Sequence, residues 1–174
     1  MIWFEEQYIF NDNNVFKPYI KLWKRFRDDI YIIWNGGHDT LDCFFWQLNY
    51  KEPKIQFTIE REKNDILAFL DISIHRLADR LVTKVYRKET HTQKYIHWRS
   101  NRSKNCKLGV LKGLIHRAHL LCDLKEDLLY ELNLLKDVFI ANGYPKKLVE
   151  KTLNNSWKVE LEKQLKALLH TYAK

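Results

Sequence analysis

The stretch KLGVLKGLIHRAHLLCDLKEDLLYELNLLKDVFIANGYP, residues 107–145, decides half of the fold. Leu108, Leu111, Ile115, Ala118 and Cys122 recur every three or four residues, the spacing of one helix face, while Lys112, His116 and His119 fall on the opposite side. That predicts a helix over about 107–121. Asp123 followed by Glu126 has capping-box spacing, with aspartate in place of the usual Ser or Thr, and opens a second helix over about 124–141. Leu128, Leu132, Leu135 and Phe139 form its apolar stripe, and Asn142-Gly143-Tyr144-Pro145 ends it. A last helix carries Trp157, Leu161, Leu165, Leu168 and Tyr172 on one side, with a break near Asn154-Asn155.

Upstream of this helical half the period changes from about 3.6 to 2. Residues 1–10 read as the end of a helix that begins before them. From Tyr19 to Trp34, aromatic and β-branched residues flank Asp28-Asp29 and stop at Asn35-Gly36-Gly37, which predicts a two-stranded hairpin with the aspartates at its tip. Thr40 to Tyr50 places Leu41, Phe44, Phe45 and Leu48 at helical spacing, with Asp39 or Thr40 as N-cap, so a helix should cover that sheet. Ile55 to Glu60 and Ile66 to Ile74 each alternate as a strand does, the second with Ile66, Ala68, Leu70, Ile72 and Ile74 on one side. Leu81 to Arg87 alternates again after a turn near Ala78-Asp79. The fold class is therefore α+β, antiparallel hairpins with a covering helix followed by an all-helical part.

Composition fits a packed chain, since 45 % of the 174 residues are hydrophobic and glycine and proline are scarce. There is neither a signal peptide nor an apolar run of membrane-spanning length, which predicts an intracellular protein of the nucleus or cytoplasm with no membrane partner. Cys43, Cys106 and Cys122 are an odd number at wide spacing and suit reduced, structural thiols. The net charge of +8 is unevenly placed: His75–Leu120 holds 12 Lys and Arg against 2 Asp and Glu, a net of +10, and the rest sums to −2. Cations concentrated in this way form a footprint for phosphate, because each neutralised phosphate releases condensed counterions.

Two constellations invite metal chemistry. Adjacent carboxylates at a hairpin tip, Asp28 and Asp29, make an oxygen-rich corner of the kind that binds Mg²⁺ in nucleotidyl transfer, although a two-metal site needs a further carboxylate from another strand, and Asp-Asp also suits a plain turn. Cys106, His116, His119 and Cys122 have helical rather than zinc-ligand spacing, with Cys122 on the apolar face and the histidines on the polar one, so zinc is not expected.

Trp23-Lys24-Arg25-Phe26-Arg27-Asp28-Asp29-Ile30 resembles the aromatic-x-Asp-Asp box of reverse transcriptases. Further blocks resemble, in order, the Penelope-like retroelement branch of that family: Ile55–Glu60, Phe69-Leu70-Asp71-Ile72, Val85–Thr92, Tyr95-Ile96-His97, Lys107–Leu111 through His116-Arg117-Ala118, and Asn142–Pro145. Arg27, where the family has a small aliphatic residue, and Glu89, where it has proline, depart from the pattern. The resemblance implies an RNA-directed DNA polymerase fragment with a palm remnant over 1–89 and a basic, thumb-like region over 90–174. Asp28 and Asp29 would be its catalytic and Mg²⁺-binding pair, and Phe69-Leu70-Asp71 its primer-grip hairpin. Lys84, Arg87, Lys88, Lys94, Arg99, Arg102, Lys104, Lys107 and Lys112 would contact the phosphates of an RNA and DNA template-primer, with Tyr95, His97 and Trp98 stacking on bases or sugars. Mg²⁺ would be held only with the upstream palm residues, so the chain alone is not expected to polymerise. Another reading of the same residues is a helix-turn-helix DNA-binding module without polymerase function, formed by helices 107–121 and 124–141, although the second of these is acidic. A third is a packing protein whose basic face meets only solvent.

Overall fold

A computed structural model of the chain describes residues 2–52 and 54–156. It is α+β, and it divides into two compact units between Glu62 and Lys63. The three-stranded hairpin sheet therefore shares a unit with the helices.

In the first unit a helical turn, α1 (Ile2–Phe4), passes into a π-helical turn, Glu5–Ile9. Strands β1 (Ile20–Phe26) and β2 (Asp29–Trp34) pair antiparallel through a two-residue turn, Arg27-Asp28, with Phe26 opposite Asp29. Helix α2 (His38–Lys51) covers this hairpin as its spacing predicts. Phe44 and Leu48 pack with Phe4 and Ile9, and Trp23, Ile32 and Trp34 close the cluster from the sheet. Neither Asp39 nor Thr40 caps α2: the helix starts at His38 after Gly37, and the Thr40 hydroxyl donates to the Gly37 carbonyl at 2.8 Å. Polar groups buried in this unit are hydrogen-bonded, Asn14 donating to Ile9 O at 2.9 Å. Buried Glu5 accepts from the Trp23 indole at 2.9 Å and from Arg25 at 2.8 and 3.1 Å, and the Arg25 hydrogen bond holds its carboxyl below the usual range.

Residues 55–60 alternate as expected but form no strand. Ile55 and Phe57 pack onto the core, and the place of a partner strand is taken by the Asn49 amide, which accepts from Phe57 N at 2.6 Å and donates to Phe57 O at 3.3 Å. The next apolar run is two strands, not one. β3 (Ile66–Phe69) and β4 (Ile72–Arg76) pair antiparallel around Leu70-Asp71, with Leu70 at φ 54°, and β5 (Leu81–Val85) completes the order β3-β4-β5. Leu70 thus occupies the left-handed region that usually goes to glycine, and only Asp71 beside it is a common turn residue.

Helix α3 (Lys104–Leu121) begins three residues before the expected 107, because the Ser103 hydroxyl caps it by accepting from Cys106 N at 3.2 Å. Helix α4 (Lys125–Ala141) has Leu124 as N-cap and no side-chain cap. Asp123 is engaged elsewhere. Its carboxylate accepts from Thr83 N at 2.6 Å, its own N–H donates to Thr83 O at 3.0 Å, and the Thr83 hydroxyl donates to Leu121 O at 2.9 Å. The connection between the helices is thereby stitched to β5. A fifth helix, α5, is described over 146–156 and runs through Asn154-Asn155 without a break, while Trp157, Leu161, Leu165, Leu168 and Tyr172 lie outside the described residues. Leu111, Ile115, Ala118, Leu132, Leu135, Phe139, Tyr144, Val149 and Leu153 form one core among α3, α4 and α5.

Two features hold this unit in one arrangement. Past β5, Arg87 makes a two-pronged ion pair with Glu131 of α4, one prong at 2.6 Å, with side chains 17 % and 6 % exposed. At its far end α4 closes in a Schellman motif: Tyr144 N donates to Phe139 O at 3.0 Å and Gly143 N to Ile140 O at 2.9 Å, with Gly143 at φ 83°.

Removing one partner of a buried pair strands the other. Glu131→Ala should therefore cost about 3 kcal/mol in urea unfolding, and the Arg87→Met/Glu131→Leu double variant should recover most of that; a loss below about 1 kcal/mol for the single variant would show that Arg87 finds water. A Cβ on Gly143 would lie 2.9 Å from the His97 ring. Gly143→Ala should lower stability by more than the roughly 1–2 kcal/mol of the left-handed backbone, and His97→Ala should relieve only the excess; thermal melts of the two singles and the double separate the terms.

Candidate nucleic-acid interface

Between β5 and α3 the chain is irregular, yet it is fastened at several points. The Asn142 side chain accepts from Tyr95 N at 3.1 Å and donates to Gln93 O at 3.2 Å and Val138 O at 2.7 Å, while its carbonyl accepts from Trp98 N at 3.0 Å. The Tyr95 ring stacks on Phe139 with centroids 5.2 Å apart, and Trp98 meets Tyr144 at 5.0 Å. Lys107 reaches back from α3 to donate to Trp98 O at 2.6 Å and Ser100 O at 2.8 Å, with its ammonium 5.4 Å from the Trp98 ring centroid.

These contacts divide the cationic segment in two. Arg87 and Lys107 are withdrawn into the fold, where leaving would strand a carboxylate or two carbonyls. Tyr95 and Trp98 are half-buried against the core, so their rings already have partners. Lys84 stands 3.6 Å from Asp127 and is partly neutralised. Lys88, Lys94, Arg99, Arg102, Lys104 and Lys112 remain exposed, as does His97, whose Nδ1 accepts from Arg99 N at 3.2 Å. The loop therefore presents cations from a fixed backbone.

Along α3 an exposed stripe runs through Asn105, Gly109, Lys112, Gly113 and His116 to Leu120. A Cβ added at either glycine would meet nothing within 4 Å, so the helix surface is bare there and a polyanion backbone can come close to it. The remaining side of α3 is committed: Arg117 Nη2 lies 3.4 Å from the Asp71 and Tyr86 carbonyls, and His119 lies 3.3 Å from the Ser156 hydroxyl. Burial pushes the Cys122 thiol pKa up, as suits a reduced structural cysteine.

Asp28 and Asp29 are both exposed at the tip of the β1–β2 hairpin, where Arg27 takes the left-handed position at φ 55°. Among the described residues no group of three or more His, Cys, Asp and Glu side chains comes together to hold a metal ion. The two carboxylates present do not by themselves make a fitting site for Mg²⁺, and Cys106, His116, His119 and Cys122 do not converge. No helix among the described residues is long and apolar enough to cross a membrane. Exposed Lys146, Lys147 and Lys151 of α5 lie outside the segment picked out by charge counting; the four-residue step from Lys147 to Lys151 was the signal available for them.

Residues 94–154 match the family described as the animal helix-turn-helix domain, a span that takes in the end of the pinned loop, α3, α4 and nearly all of described α5. No curated protein and no solved structure matches the chain.

Proposed function

We propose that the unit beginning at Lys63 is a nucleic-acid-binding module that grips the sugar–phosphate backbone of a duplex through the pinned loop and the open face of α3. The observation that carries this reading is the helix-turn-helix match over a stretch that leaves Lys94, Arg99, Arg102, Lys104 and Lys112 unburied. Cations held by a docked loop lose little freedom when they meet phosphate, and the bare Gly109–Gly113 surface lets the backbone approach. A partner of this kind fits the expectation that the chain works in the nucleus or cytoplasm.

The polymerase reading has its own support. The Asp-Asp hairpin and the Leu70-Asp71 turn occur as hairpins, in the order that the resemblance to Penelope-like reverse transcriptases implies. In that reading the duplex is an RNA–DNA template-primer, and the same cations hold it. If the chain is fused to a segment supplying the other palm residues, Asp28→Asn should remove primer extension by about three decades or more while leaving template binding nearly intact. Full activity in that variant would end the polymerase reading and leave the binding module untouched.

Binding itself is tested by fluorescence anisotropy of the whole chain with labelled duplex. With roughly five phosphate contacts, affinity should fall by about two to three decades from about 50 to 200 mM salt, and Arg102→Gln/Lys104→Gln/Lys112→Gln should lower the salt slope by roughly 3. A flat salt response, or no binding at low salt, overturns the proposal.

A further inference from the structure

The chain contains two successive helix pairs, and they differ in what they leave accessible. α3 and α4 are joined by Cys122-Asp123-Leu124, where Asp123 is tied to Thr83 and the Lys84 ammonium lies 3.6 Å from Asp127 in the first turn of α4. Glu126 and Asp127 make that helix start acidic, so it repels phosphate. α4 and α5 are joined by Asn142-Gly143-Tyr144-Pro145, a four-residue turn whose glycine is left-handed. That length and that glycine are what a helix-turn-helix connection requires.

α5 is two-faced. Val149 and Leu153 are buried in the common core, while Lys147, Lys151, Asn154 and Asn155 are exposed. At 3.6 residues per turn these four side chains fall in one stripe, on the side of the helix away from Val149 and Leu153. Glu150, the one acid among the described residues of α5, is drawn to Lys136 of α4 at 3.0 Å, so it is held off the stripe. The exposed face thus offers two cations for phosphates or guanine edges and two carboxamides. A carboxamide can pair with adenine N6 and N7 in the major groove, the pairing by which asparagine reads a base.

We propose that the second pair, α4 and α5, is the groove-reading element, with Lys147, Lys151, Asn154 and Asn155 of α5 facing the major groove of duplex DNA. This rests on the nucleic-acid-binding reading and adds a site to it. The loop and α3 supply affinity that ignores sequence, and α5 supplies the preference among sequences. Such a division puts the reading helix second in its pair, the order usual for these motifs, and assigns the acidic α4 to support rather than contact.

The test selects duplexes from a randomised DNA pool with the whole chain, then measures affinity for an enriched site and for its scrambled version. The intact chain should prefer the enriched site roughly tenfold or more. Asn154→Ala/Asn155→Ala should erase that preference while keeping affinity for scrambled DNA within about twofold, since neither amide carries charge. Arg102→Gln/Lys104→Gln/Lys112→Gln should weaken both duplexes alike. All these positions are exposed, and circular dichroism melts check that each variant folds. If the asparagine variant discriminates as well as the intact chain, or if no sequence is enriched by a chain that does bind duplex, α5 is not a reading helix and the binding module stands. If the chain binds no duplex at low salt, both proposals fall.

Discussion

The second unit depends on how α4 ends. Asn142 and Gly143 turn the chain out of the helix, and the left-handed glycine puts Tyr144 back under Phe139, with ring centroids 4.8 Å apart. From there the Tyr144 hydroxyl donates to Lys107 O of α3 at 3.3 Å, and Pro145 follows as the chain enters α5. The Asn142 side chain meanwhile satisfies the backbone of the 93–98 loop. One helix terminus therefore fixes the direction of α5 and the backbone of the cationic loop, and a change in its geometry would move both.

Charge in this unit is sorted by burial rather than spread evenly. Arg87 and Lys107 sit where a carboxylate or carbonyls receive them, Lys84 and Arg87 answer Asp127 and Glu131 of α4, and Lys136 of α4 answers Glu150 of α5. What stays outside is mostly positive. The same sorting explains His75: burial and the nearby Lys84 push its pKa below the ordinary histidine value, with Asp127 opposing them, so it stays neutral in the sheet and leaves the outward cations to set the field.

Much of this was legible in the sequence, because a helix with a wet and a dry side writes its period into its residues. Leu111, Ile115 and Ala118, and likewise Leu132, Leu135 and Phe139, are buried where their spacing put them, and Asn142–Pro145 ends α4 as its residue types require. Asp28 and Asp29 sit at the hairpin tip for the same local reason. The turn at Leu70-Asp71 was not legible, since a leucine in a left-handed position gives no warning and an alternating run looks continuous across it. Asp123 has the spacing of a cap but binds Thr83, a residue forty positions away, and no local pattern encodes that. Arg87, Lys107, Tyr95 and Trp98 illustrate the general limit: a basic or aromatic residue has the same letter whether a phosphate, a carbonyl or another ring will be its partner.

Because the loop from Gln93 to Ser103 is fastened before any partner arrives, its ordering entropy is lost on folding and not on association. Complex formation should then show the thermodynamics of two prepared surfaces, a small heat-capacity change and a favourable entropy from released counterions, rather than the large heat-capacity change of a segment that folds as it binds. Encounter would be fast for the same reason, with the rate set by diffusion in the field of the exposed cations.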